Sequence, residues 1–219
     1  MGTITRNFAN NLTTSGLLKP TAFNNDSFDN VTAVPSGSVE AGAMQFISSA
    51  TASASASIEF TSGIDSTYKE YVFYFNNIHP QTDVVRFSFQ GSTDGGSNYN
   101  TTITSTSFGA YHRENDTETG FGYDTNDDQA QGTSFQPLTN TCGNGNDESS
   151  SGYLHLFNPS STTFVKHWIS RFNIYHNQDL TLERDNAGYF NTTSAIDAIK
   201  FQMSSGNIDS GQILLFGIN

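Results

Sequence analysis

The stretch "DVVRFSFQGSTDGGSNY" (residues 83–99) alternates apolar Val85, Phe87 and Phe89 with polar Arg86, Ser88 and Gln90, then breaks at a pair of glycines. A two-residue period sends successive side chains to opposite faces of an extended chain. The stretch therefore reads as a β-strand with Val85, Phe87 and Phe89 turned to a core and Arg86, Ser88 and Gln90 turned away from it. "TDGGS" reads as a hairpin turn, and "NYNTTITSTSFGAYH" (98–112) as the strand that follows.

The same period spreads outward in both directions. "MQFISS" (44–49) and "ASASASIEFTS" (52–62) alternate small or apolar residues with polar ones. In "TYKEYVFYFNNI" (67–78), Tyr71, Phe73 and Phe75 share one face while Val72 and Tyr74 share the other, which suggests a strand covered on both sides, the second cover being a neighbouring subunit. Downstream come "GYLHLFNP" (152–159), "TTFVKHWISRFNIYHN" (162–177), "AGYFNTTSAIDAIKFQMSS" (187–205) and "QILLFGIN" (212–219). The apolar runs that flank "SSGNIDSG" (204–211) read as a hairpin ending in the last strand. No helical stripe is sustained anywhere. About eight to ten strands in roughly 175 residues point to an all-β fold, an antiparallel β-sandwich of jelly-roll-like type, with an eight-stranded barrel as the competitor.

Composition narrows the function classes. Aromatic residues reach 13% with eighteen Phe and nine Tyr, so the core is built from rings and β-branched side chains. Nine Lys and Arg against twenty-one Asp and Glu give a net charge of −12. Phosphate binding needs clustered cations, so no nucleic acid is expected as partner. Anionic lipid is disfavoured for the same reason, and no run of about eighteen apolar residues is present to span a bilayer, so no membrane insertion is expected. Cys142 stands alone in "TCGNGNDESS", and no secretion signal is visible; synthesis in a reducing host cytoplasm is the expectation.

A search for chemistry yields little. His79, His112, His155, His167 and His176 show no paired metal-ligand spacing, and His155 and His167 read as residues on strand faces. "DTNDDQ" spaces Asp124, Asn126 and Asp128 like the start of a calcium loop, but Gln129 stands where glycine is needed and Phe135 where an acid is needed. It reads as a solvated acidic loop. Cys142 sits among polar residues without an evident histidine partner, and Asp197 reads as facing solvent opposite Ile196 and Ala198. No catalytic residue, metal site or cofactor is expected, and the chain does not read as an enzyme. In the polar stretch 114–151 and just before it, Tyr111, Phe121 and Tyr123 lie among Asp124, Asn126 and other polar residues. An aromatic face beside Asn and Asp side chains is the chemistry of sugar binding, so these five residues form a candidate receptor or glycan loop.

The first forty residues follow a different rule. Ile4, Phe8, Leu12, Leu17, Phe23, Phe28, Val31 and Val34 appear singly among Asn, Thr, Ser and Gly. Isolated anchors suit a segment that lies extended on another protein and places each apolar side chain in its own pocket. One buried Phe or Ile contributes about 1.5–3 kcal/mol before ordering costs. Residues 1–35 therefore read as a docking arm, 36–43 as a flexible linker, and 44–219 as the sandwich domain.

"TITRNFANNLTTSG" (3–16), "AFNNDSFDNVTAVP" (22–35) and "IKFQMSSGNIDSGQILLFGI" (199–218) together resemble virion proteins of tailed bacteriophages, especially marine and cyanobacterial ones. The closing pattern runs through Phe201, Ser204, Ser205, Gly206, Ile208, Ser210, Gly211, Ile213, Leu215 and Gly217. The resemblance implies a virion structural protein, most simply a homotrimeric tail fibre or appendage that docks on other virion proteins through residues 1–35 and contacts host surface glycan. The alternative is a capsid decoration or cement protein whose arm clamps the major capsid protein lattice. The resemblance carries over no catalytic residue.

Overall fold

The computed structural model describes residues 43–219; the expected docking arm and nearly all of the linker lie outside them. Twelve strands follow one another with no helix among the described residues. They are β1 (Met44–Ser55), β2 (Ile58–Phe60), β3 (Glu70–Pro80), β4 (Phe87–Ser92), β5 (Ile103–Arg113), β6 (Thr119–Tyr123), β7 (Gln136–Pro137), β8 (Ser150–Phe157), β9 (Lys166–His176), β10 (Leu180–Phe190), β11 (Ala198–Met203) and β12 (Ile208–Ile218). All pairings are antiparallel. An eight-stranded sheet runs β1-β12-β3-β8-β9-β10-β5-β6, and a four-stranded sheet runs β2-β11-β4-β7. Among the described residues the large sheet ends at β1 and β6, which do not pair with each other, so the fold is the expected sandwich and not a closed barrel.

Rings from both sheets fill the space between them. Phe201 of β11 lies 5.2 Å from Phe73, 5.1 Å from Phe75 and 5.8 Å from Phe87, and Phe89 meets Trp168 edge-on at 5.0 Å. Phe73, Phe75, Phe87, Phe89 and Phe201 are all essentially unexposed. The large sheet's outer face is aromatic as well. Phe216 contacts Phe46 at 5.6 Å and Tyr74 at 5.8 Å, and Tyr153 contacts His155 at 5.2 Å. Val72, flanked in register by Phe216 and His155, is fully buried within the single chain. His155 and His167 lie on β8 and β9, as expected.

Four local expectations are corrected. Both turn signals, 93–97 and 204–207, carry the chain from one sheet to the other and do not close hairpins: β4 and β11 belong to the small sheet, β5 and β12 to the large one. The turn after β11 bonds outward, Ser204 N–H to the Arg86 carbonyl and Gln81 N–H to the Asn207 carbonyl, with Gly206 at φ +69°. Alternation identifies a strand but is silent on which sheet it joins. Ser88 and Gln90 are buried, because the segment after β6 covers the second face of β4: Gln90 Nε2 donates to the Thr133 and Ser134 carbonyls at 3.1 and 3.0 Å. Cys142 is fully buried in the core, its thiol donating to Thr139 Oγ1 at 3.2 Å, and its backbone pairs with Val85 and His176. Asp197 is half-buried and accepts from Gly95 N–H at 2.9 Å.

Candidate functional site

At the β10-β5-β6 end of the large sheet the inner face meets the segment 124–142, and a cleft of about 510 Å³ opens there. Strand alternation places Gly109, Tyr111 and Arg113 of β5, Leu180, Leu182 and Arg184 of β10, and Gly120 and Gly122 of β6 on this face. The floor is open because β6 carries glycines. A Cβ at Gly120 would overlap the Tyr111 ring lying across it, whereas one at Gly122 would meet nothing within 4 Å.

A polar network fixes the walls. Arg184, only 4% exposed, bonds Asp124 Oδ2 through Nη2 at 2.9 Å and lies 3.4 Å from Asp127 Oδ2. Arg86 Nε closes on Asp127 Oδ1 at 2.6 Å, and Asn140 Nδ2 donates to Asp124 at 3.1 Å. Burial pushes the Asp127 carboxyl above its ordinary value; Arg86 and Arg184 pull it back, and the Asp124 charge adds to the rise. Burial also acts to raise Asp124, but the Asn126 amide and the Arg184 guanidinium outweigh it and hold that carboxyl below its usual range. At the rim, Arg113 Nε bonds Glu118 Oε2 at 2.8 Å and its other nitrogens reach Gln178. Tyr111 O–H donates to Glu118 Oε1 at 2.7 Å. Arg113 and Tyr111 together hold the Glu118 carboxyl low. His176 bonds Thr141 through Nε2, and burial lowers its pKa.

The cleft thus combines an aromatic ring, two leucines and hydrogen-bonding groups already held in place by one another. Two arginines offset two carboxylates, so the lining is formally neutral in a chain of charge −12. Such a surface suits a ligand with an apolar face and many hydroxyls. Among the described residues no group of three or more His, Cys, Asp or Glu side chains is placed to hold a metal ion.

Of the five candidate loop residues, Tyr111 and Asp124 stand in the cleft. Phe121 and Tyr123 border it from β6, but alternation turns their rings to the outer face, where Phe121 meets Phe108 at 5.9 Å and Tyr123 O–H reaches Asp128 at 2.6 Å. Asn126 is exposed in the turn, its N–H donating to Asp124 Oδ1 at 3.0 Å. Its neighbour Asp127 turns inward, so "DTNDDQ" is only partly a solvated loop. Sequence reasoning missed Arg113, Glu118, Asn140, His176 and Arg184. Arg184 had a signal: it is in phase with Leu180, Leu182 and Asn186, which places a guanidinium on a buried face and demands a buried acid. No protein-family model matches the chain, and neither does any curated protein or solved structure.

Proposed function

We propose that the chain is a non-enzymatic structural protein of a tailed-bacteriophage particle, a tail-fibre or appendage component whose cleft binds a host-surface saccharide. One observation carries the binding half: a preorganised, formally neutral cleft with Tyr111 on one wall and fixed donors and acceptors around it. The placement on a particle rests on the resemblance of residues 3–35 and 199–218 to virion proteins, with residues 1–35 as the docking segment.

The test is retention of the full chain on an array of bacterial surface saccharides, alongside the Tyr111→Ala variant. Binding that falls about tenfold or more in the variant is the expected result, since an aromatic face against a sugar ring is worth on the order of 1 kcal/mol or more. An array that captures nothing, or equal capture of both proteins, overturns the saccharide reading. Copies per particle then separate placements: a few for an appendage, hundreds for a capsid decoration protein.

A further inference from the structure

Among the described residues, three of the four sheet edges are guarded. β2 has three residues, with Glu59 paired to Lys200 at 2.9 Å; β7 has two, one of them Pro137; β6 has five, two of them glycine, between Glu118 and Asp124. Short length, charge and proline are the devices that keep an edge from recruiting another strand. β1 is the exception. It runs for twelve residues, Met44–Ser55, without a single charge, proline or glycine, in a chain that carries twenty-one acids.

A bulge between Phe46 and Ser48 interrupts the start of β1, and Ala54 sits at φ +48° near its end. Between them residues 48–53 pair with β12 in unbroken register. Ser53 N–H turns away from β12 to reach Ser55 Oγ at 3.2 Å. In an antiparallel ladder, residues of one parity point their N–H and C=O the same way, so those of Ser49 and Thr51 also face outward.

The sequence of this segment, Ser49-Ala50-Thr51-Ala52-Ser53, reads identically in both directions. A two-fold axis through Thr51 would oppose Thr51 to Thr51, Ser49 to Ser53 and Ala50 to Ala52. The outward parity makes Thr51–Thr51 a hydrogen-bonded pair, and Ser49–Ser53 one as well once the Ser53 N–H exchanges Ser55 Oγ for the facing carbonyl; Thr–Thr is a favourable cross-strand pair. In a chain of net charge −12, pairing along this edge brings no charged side chains of β1 together.

We propose that β1 is a self-association edge: two copies pair β1 to β1 antiparallel about Thr51, joining their large sheets into one. The occupant is a second copy of this chain, and the oligomer contains an even number of copies, a dimer or a pair of trimers. The inference is independent of the saccharide reading.

The experiment is sedimentation equilibrium of the full chain and of Thr51→Pro and Thr51→Lys, with amide hydrogen exchange of residues 44–55 read across a dilution series. Proline at 51 removes an N–H that β12 does not use, and lysine adds a charge on an exposed face, so each should leave the fold intact; near-UV circular dichroism checks this. Expected are an even-numbered oligomer, a dissociation constant raised about tenfold or more in both variants, and protection at 49–53 that is lost on dilution. A monomer or lone trimer at all concentrations overturns the proposal. So does unchanged assembly in a folded variant, or protection of 49–53 that does not depend on concentration.

Discussion

At the scale of single residues, the buried charge network is sensitive to substitution. Asp127 is 1% exposed and holds the Arg86 guanidinium, so removing it leaves Arg86 without that partner and Arg184 with Asp124 alone. Asp127→Ala is expected to cost about 1–3 kcal/mol in urea unfolding, the scale of lost buried hydrogen bonds, because Arg184 keeps Asp124 and Arg86 reaches solvent. Cys142 should behave oppositely, as an inert group. Burial pushes its thiol up to about 11, so at pH 8 it is protonated as well as inaccessible. A thiol reagent is expected to leave the native protein unlabelled and to modify one site per chain in denaturant. His176 gives a pH signature. Its folded pKa lies below that of the unfolded chain, so the unfolded state binds the extra proton. Stability should therefore be fully present above about pH 6.5 and decline as the pH falls through that value. His176→Gln should flatten this decline in thermal melts between pH 7 and 5.

At the scale of elements, Gly211 shows how a strand is shaped by what it lacks. Its φ of +121° and its place in the irregular β12–β3 pairing leave no room for a side chain: a Cβ would sit 2.7 Å from the Asn77 carbonyl oxygen. Gly211→Ala should cost about 1–3 kcal/mol by denaturant titration, combining backbone strain with overpacking. Phe201 is the complementary case, a single ring from the small sheet touching Phe73 and Phe75 of the large one, and Phe201→Ala is expected to cost about 3–5 kcal/mol. These elements also mark what the sequence could reveal. Most strands announced themselves by a period of two, because one face meets a core and the other does not, but β6, β7 and the first seven residues of β10 lie outside the stretches it marked. Where a strand is covered twice, as at β4, the period no longer separates inside from outside, and Ser88 and Gln90 were assigned to the wrong environment. Sheet membership was illegible for a further reason. A glycine turn reverses the chain equally well within a sheet or between two, and the choice is made by distant partners such as β12 for β1. The cleft was half legible: Tyr111 and Asp124 carry the local aromatic-and-acid signal, but Arg184 and His176 arrive from strands sixty and fifty-two positions beyond Asp124.

At the scale of the whole molecule, the order of strands in space departs sharply from their order in the chain. Met44 pairs with Ile218, and β12 lies between β1 and β3 in the large sheet. Contacts that distant in sequence make folding slow, because the loop must close before any pairing compensates for the lost freedom. Until residues 208–218 have been made, the strands on either side of their place have no partner there, and β1 and β3 present bare backbone. The domain is thus unable to assemble its large sheet while the ribosome still holds its final strand. The large sheet is complete only once residues 208–218 have emerged, and a translation arrest anywhere before residue 208 leaves an adhesive, unfinished sheet for the cell's chaperones and proteases to handle.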